Sequence, residues 1–471
     1  MNLENVEDIY QLSPTQEGML FHCLHSPELA LYFEQSIFNL SDAYDITIFE
    51  QAWQQAIDHH PILRSAFFWR DLDKPLQVVY RHVKFQLELC DLQELSSTEQ
   101  RERLLAFLRA DRKRGFDFSE APLMRLTLFR LTKSTYQGIF SYHHILLDVW
   151  SLRLLYKEIF TLYEALCAGE PYHYQRSHPY RDYILWLQQQ DMQQAEMFWR
   201  QTLSGFFAPT PLAMGKGSAY DAVVEDDFAS QEAKLSIHTT QDLQTLAKQQ
   251  RITLNTILQG SWAILLSRYS GDNDVVFGVT VSGRSAPLAG IEAMIGLFIN
   301  TLPMRVRLFP TAPLTSWLKE LQLQQAEAGQ YEYSSLAQIQ QWSEVPGGTP
   351  LFESILIFKN VPLDSSLRNQ AEEAARVQLV EAARTNYPIT IFVEPGRELT
   401  IRIDYDSNRF AAATIKQLLG YWQTLLESIV ATPEQRLGEL SLLTPQQRHQ
   451  ILSTFNATQM PLPQQSLVTL L

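Results

Sequence analysis

Apolar positions recur with two different periods along this chain, and the periods predict its elements. Over residues 47–60, Phe49, Trp53 and Ile57 fall on one face of a 3.6-residue repeat, which predicts a helix. Residues 123–131 and 136–143 read as two strands joined by a turn at 132–135. The next helix carries Leu155, Ile159, Leu162 and Leu166 on a single buried face, and Gly169 ends it. A helix-rich stretch covers residues 180–203. Phe207-Ala208-Pro209-Thr210-Pro211 and the Gly/Ser-containing segment through Tyr220 then read as a linker or long surface loop. Beyond it the pattern restarts. Helices are expected at 240–250 and 254–269, a strand at 274–282, a helix near 314–328, strands at 353–359, 388–393 and 399–405, and a long helix at 411–430. The fold class is α/β, in two units of similar size, with no internal repeat strong enough to prove duplication. After Leu442 the chain turns polar. Thr444-Pro445-Gln446-Gln447-Arg448 and Asn456-Ala457-Thr458 look like loop, a linker toward something further along a larger polypeptide.

Composition narrows the classes. The chain has 471 residues, 45% hydrophobic and 19% charged, enough for two or three core units. A net charge of −14 argues against nucleic-acid binding, and any phosphate-bearing partner must meet a local basic patch. Cys23, Cys90 and Cys167 are scattered and in no metal spacing. They read as reduced thiols, mostly core filler, in a cytoplasmic protein. The N-terminus lacks the basic flank and apolar run of a signal peptide, and no window of eighteen apolar residues predicts a membrane span.

The chemistry concentrates in Ser141-Tyr142-His143-His144-Ile145-Leu146-Leu147-Asp148-Val149-Trp150-Ser151. Two adjacent histidines end a strand, an Asp follows, and a helix begins at once. Strand, tight loop and helix start hold an imidazole at a fixed point, which suits a proton-handling group. A metal site is disfavoured. Neighbouring side chains at a strand end point to opposite faces, and no Cys or Glu completes a ligand set. A second pair, His59-His60, has no following Asp and reads as local structure. In the catalytic reading one imidazole faces a cleft and the other packs inward. Asp148 then needs a distant Arg, because a buried carboxylate without a cation is costly. No nucleophile elbow, Walker loop or dinucleotide fingerprint is present. Gly283-Arg284-Ser285 is a turn whose Arg284 is available as a cation.

Taken together, the motifs resemble the condensation domains of nonribosomal peptide synthetases. The family's HHxxxDG signature is met by His143-His144-Ile145-Leu146-Leu147-Asp148, with Val149 where Gly is usual. Around it, in order, stand Leu12-Ser13-Pro14-Thr15-Gln16-Glu17-Gly18-Met19-Leu20-Phe21-His22, His59-His60-Pro61-Ile62-Leu63-Arg64-Ser65-Ala66-Phe67 and Tyr180-Arg181-Asp182-Tyr183-Ile184-Leu185-Trp186. Ile295-Gly296-Leu297-Phe298-Ile299-Asn300-Thr301-Leu302-Pro303-Met304-Arg305 follows, then Pro350-Leu351-Phe352-Glu353-Ser354 and Thr385-Asn386-Tyr387-Pro388. The resemblance implies two chloramphenicol-acetyltransferase-like subdomains, 1–185 carrying the histidines and 186–442, forming a V-shaped pseudo-dimer with a central tunnel. Residues 443–471 would lead to an adenylation domain. It implies donor and acceptor peptidyl carrier proteins as partners, each bringing its substrate on a 4'-phosphopantetheine arm. No permanently bound cofactor, metal, nucleic acid or membrane is implied, and the isolated domain is expected to be monomeric.

By the same resemblance His144 acts on the attacking amine, as general base or as a positioning group, and His143 and Asp148 are structural. Arg64 is the first choice for the Asp148 ion pair and Arg284 the second. Val149, Trp150, Ser151 and Asn300 are expected at the tunnel. The order Trp150-Ser151 favours condensation over epimerisation, and the intact His143 disfavours heterocyclisation. The Ser13-to-Gly18 opening resembles the branch that takes D-configured or polyketide-derived donors. Val149 puts activity in question, since Val neither adopts positive φ readily nor leaves the room Gly leaves. A narrowed tunnel near His144, with a small substrate or reduced activity, is expected. A tolerated substitution and a deliberate block are the alternatives. Two further readings compete: a free-standing acyl-CoA acyltransferase, whose late Asp-Phe-Gly-Trp-Gly element is absent here, and a catalytically impaired docking platform.

Overall fold

Side chains at the element ends determine where the foreseen strands and helices begin and stop. The structure, a computed structural model, describes residues 3–41, 44–174, 178–212, 228–359, 378–380 and 384–457. The chain runs β1 (Val6–Gln11), α1 (Pro14–His25), β2 (Phe33–Ser41), α2 (Ile46–His59), β3 (Ser65–Phe68), β4 (Leu76–Tyr80), β5 (Leu87–Asp91) and α3 (Ser97–Arg114). It continues through β6 (Met124–Thr132), β7 (Thr135–His143), α4 (Val149–Ala168), α5 (Tyr180–Gln188), α6 (Met192–Leu203), β8 (Phe228–Lys234), α7 (Ile237–Gln250) and α8 (Leu254–Ser270). It closes with β9 (Asp274–Val281), β10 (Asn300–Arg307), α9 (Leu314–Gly329), α10 (Leu336–Trp342), β11 (Ser354–Phe358), β12 (Gln378–Val380), β13 (Ile389–Glu394), β14 (Thr400–Asp406), α11 (Ala412–Ala431) and α12 (Pro445–His449).

The strands form three sheets, in the orders β1-β4-β3, β12-β2-β7-β6-β5 and β10-β9-β11-β13-β14-β8. In the second sheet β7 lies between β2 and β6, antiparallel to both, with His143 opposite Phe33. Contacts divide the chain into two compact units. One comprises Met1–Pro209, Phe277–Met304 and Glu327–Thr390, the other Thr210–Val276, Arg305–Ala326 and Ile391–Leu471.

In the first unit α2 and α4 cover one face of the β7 sheet. Asp45 caps α2 at Thr47 and Ile48, and Asp148 caps α4 at Ser151, so a side-chain oxygen satisfies amides that the first turn leaves open. Gly169 ends α4 at φ 69°, as its sequence position predicted. Trp53 of α2 stacks on Phe85 at 4.9 Å and lies 4.7 Å from Phe140 of β7, while Phe38 of β2 meets Tyr156 of α4 at 6.0 Å. On the other face α3 brings Phe107 to Phe129. A buried Asp111–Arg125 pair at 2.6 Å there also accepts from Ser141 of β7. In the second unit Trp262 and Trp422 pack at 5.2 Å, and the Trp422 indole donates to Ser261.

Several expectations need correction. The segment from Thr444 is not loop: Thr444 accepts from Gln447, whose side chain returns to the Thr444 amide, and this capping box starts α12. Of the three cysteines only Cys23 is buried; Cys167 is exposed. His59 and His60 are local structure as read: His59 stacks on Tyr174 at 3.9 Å and His60 bonds Glu158 at 2.9 Å. Thr458 and most of the Gly/Ser segment, residues 213–220, lie outside the described residues. Among the described residues no helix is long and apolar enough to cross a membrane.

Candidate active site

Strand β7 delivers the two histidines with their backbones already committed. The His143 amide donates to Leu123 and the His144 amide to Tyr32, at 3.0 and 2.9 Å, so both flanking chains hold the strand end. Two successive turns follow, with Leu146 donating to His143 and Leu147 to His144. The His143 ring faces inward against Phe118. Its Nδ1 accepts from the Ile145 amide at 3.1 Å, which puts the proton of the neutral ring on Nε2, 3.5 Å from Cys23 Sγ. Burial depresses the His143 pKa to about 3, and burial likewise pushes the Cys23 thiol up to about 12. His143 is therefore a neutral brace for the loop. His144 is only partly buried, and its Nδ1 has no hydrogen-bond partner among the described residues.

Asp148 ends the loop, and three groups hold it. Its Oδ1 accepts from the Ser151 amide at 2.7 Å and lies 3.4 Å from Arg284, while Oδ2 accepts from the Phe298 amide at 3.1 Å. Arg284, and not Arg64, supplies the cation. Arg64 is spent elsewhere, on Glu7 at 2.6 Å and on the carbonyls of Ile57 and Tyr80. Arg284 also donates to Ser151 Oγ at 2.7 Å and to the carbonyls of Ile291 and Met294, and its guanidinium sits 4.1 Å from the Phe298 ring centre. Gly283, read as an ordinary turn, has φ 65°, and a Cβ there would strike the Phe298 carbonyl. Only Gly lets residues 283–284 approach the 296–298 segment this closely.

Ser151 and Asn300 turn out to be clamps with no free polar atoms. Ser151 is fully buried, donates to Gly296 O and accepts from Gly296 N. Asn300 donates to the carbonyls of Glu332 and Ser334 and accepts from Thr15. Trp150 is half-buried and donates its indole N–H to Glu292 O. Sequence reasoning missed Gln16. It is fully buried and donates to the Ile145 carbonyl inside the histidine loop and to Gln77. It also missed Tyr32, held at φ 59° with its carbonyl on His144 N and its hydroxyl on Asn386. Neither has a local signal, because each reaches the loop from another element.

Val149 is the first residue of α4 and is absent from the positive-φ residues, which among the described non-glycines are Ala30, Tyr32, Asp71 and Arg251. The backbone therefore asks nothing of Val149 that Val cannot give. Val149→Gly is expected to lower stability by about 0.5–1 kcal/mol, through lost helical preference and half-buried area. It is expected to leave any acyl-transfer rate unchanged. Denaturant unfolding and a rate assay check both, and a rate rising tenfold or more would show that Val149 obstructs the site.

Known proteins resemble this chain in sequence and in fold. A family model described as "Condensation domain" matches residues 6–452. A linear gramicidin synthase protein of Brevibacillus parabrevis is 43% identical over 461 residues, covering 98% of this chain and 6% of that protein. Bacitracin synthase 3 of Bacillus licheniformis is 34% identical over 468 residues, covering 98% of this chain and 7% of its own length. This chain thus spans under a tenth of both relatives. Among solved structures, a four-domain nonribosomal peptide synthetase in its holo form, bound to AMP and glycine, superposes with a TM-score of 0.78 at 19% identity. The match covers 93% of this chain and 34% of that one, and the likeness is one of fold.

Proposed function

This chain belongs to the condensation-domain family, and from that membership we propose that it forms an amide between a donor acyl or peptidyl thioester and an acceptor aminoacyl thioester. Both substrates would arrive on phosphopantetheine arms of carrier proteins. The relatives it resembles over nearly all its length are named as synthases of gramicidin and bacitracin, which supports a place in a peptide assembly line. The division at residues 185 and 442, with 443–471 leading to an adenylation domain, belongs to the same reading.

The observation that carries the proposal is the split between the two imidazoles. His143 is buried and braced, whereas the His144 ring is partly exposed and its buried Nδ1 bonds nothing among the described residues. In the reaction the acceptor amine attacks the thioester carbonyl. The C–N bond forms, the C–S bond breaks, and the proton lost from nitrogen ends on the departing thiolate. An α-amine has a pKa of about 8, so part of it is neutral at pH 7. His144 therefore contributes orientation together with transfer of that proton. Gln16, Tyr32, Asp148 and Arg284 contribute by fixing the loop that presents His144.

The test is direct. Donor-loaded and acceptor-loaded carrier proteins are mixed with the chain, and the acceptor arm is examined by mass spectrometry. Condensed product, dependent on both loaded carriers, is expected. Carrier binding with no product would overturn the reading in favour of a docking platform.

A further inference from the structure

Two polar atoms near the end of β7 are buried without a hydrogen-bond partner: His144 Nδ1 and Glu34 Oε1. Glu34 lies on β2, is 7% exposed, and makes no ion pair among the described residues. A carboxylate oxygen sealed from water with neither a cation nor a donor, as Glu34 Oε1 is, is costly and uncommon in folded proteins. The other buried carboxylates near it are compensated. Asp148 has Arg284, and Asp111 has Arg125.

The register shows where Glu34 lies. It stands opposite Tyr142, and Phe33 stands opposite His143. The His144 amide bonds to Tyr32 and extends the ladder by one step. Side chains alternate along a strand. Phe33, Gln35, Ser141 and His143 therefore share the face that carries Asp111, Phe116 and Phe118. Glu34, Tyr142 and, by the same alternation, His144 take the opposite face. Glu34 and His144 are then diagonal neighbours, about 7–8 Å apart between backbones in an antiparallel pair. Burial raises the Tyr142 pKa, and the neighbouring Glu34, Tyr156 and Asp148 add to the rise.

We propose that Glu34 binds the amino group of the acceptor beside His144. The proposal rests on the condensation reading and names the residue that selects its amine substrate. When a neutral amine attacks a carbonyl, positive charge develops on nitrogen and negative charge on oxygen. A fixed carboxylate in a water-poor site stabilises that nitrogen, and it holds the incoming ammonium until a proton has passed to His144. The cost to folding of leaving Glu34 unpaired is offset only when the amine arrives.

Two non-reactive probes test this: alanyl-pantetheine and propionyl-pantetheine, each with an amide in place of the thioester, identical except for the amino group. The wild-type chain is expected to bind the alanyl probe at least tenfold more tightly. Glu34→Gln is expected to abolish that preference, and Glu34→Asp to restore part of it. In the carrier assay Glu34→Gln is expected to lower acceptor kcat/KM by about a hundredfold, the size of a lost electrostatic contact, with donor KM unchanged. Its Tm is expected to stay level or rise, because an unpaired buried charge has been removed. Retention of the alanyl preference in Glu34→Gln would overturn the proposal, as would a fall in Tm for both Glu34→Gln and Glu34→Leu, which would assign Glu34 to the fold. Product formed by a wild type that shows no alanyl preference removes only the role of Glu34. Glu34-dependent binding of the alanyl probe without any product removes only the condensation reading.

Discussion

Arg284→Met is expected to destabilise the chain by about 3–5 kcal/mol, the cost of removing one partner from a buried ion pair. Arg284 is buried with Asp148 at 3.4 Å, and it also satisfies Ser151 Oγ and two backbone carbonyls. Burial alone lowers the Arg284 pKa, and the Asp148 charge opposes that shift, so each charge of the pair depends on the other to stay buried. Removing the guanidinium strands Asp148 at the start of α4, where its other oxygen holds the Phe298 amide. Activity is expected to fall with stability, because the loop between His144 and Asp148 loses its anchor. Denaturant unfolding with linear extrapolation measures the loss. A double-mutant cycle identifies the partner: Asp148→Asn and Arg284→Met should be coupled by about 0.5–3 kcal/mol, whereas Asp148→Asn and Arg64→Met should add. Coupling to Arg64 with additivity at Arg284 would contradict the observed pairing.

That cycle also marks the limit of what the sequence discloses. The need for a cation opposite Asp148 is legible, because a carboxylate between Leu147 and a buried helix face is costly alone. Which Arg fills it is not, since Arg64 and Arg284 both stand in well-formed motifs and only tertiary packing brings one of them to Asp148. The helical and strand periods are legible wherever one face is apolar, as in α2, α4, β6 and β7. α3 is different. Only Asp111 is fully buried in it, so its period is weak, and its start is written in the Ser96–Glu99 capping box. Thr444 and Gln447 carry the same signal, and a polar composition hid it. Cross-strand register has no local trace at all. Gln16 and Tyr32 act on the histidine loop from α1 and the turn before β2, and nothing within residues 141–151 points to them.

The two histidines, adjacent in sequence, are expected to fail in opposite ways. His144→Ala should lower amide formation by about 10²–10⁴-fold, the usual worth of a positioned proton-transfer group. It should leave stability nearly unchanged, because the ring is only partly buried and its Nδ1 bonds nothing among the described residues. His143→Ala should cost about 2–4 kcal/mol, from the void beside Phe118 and the unsatisfied Ile145 amide. Any loss of rate there should follow the loss of folded protein. Acid provides an independent check on His143. Its folded pKa is about 3 against 6.5 when unfolded. Between those values the unfolded chain binds a proton that the folded protein refuses, so stability falls as pH drops from about 6.5 toward 3, by up to about 1.4 kcal/mol per pH unit. His143→Gln keeps a group able to accept from Ile145 and cannot titrate. Its stability should therefore decline less steeply over the same range. Equal acid slopes for wild type and His143→Gln would mean that the buried imidazole is not what acid attacks, and the brace assigned to His143 would have to rest on its bond to Ile145 alone.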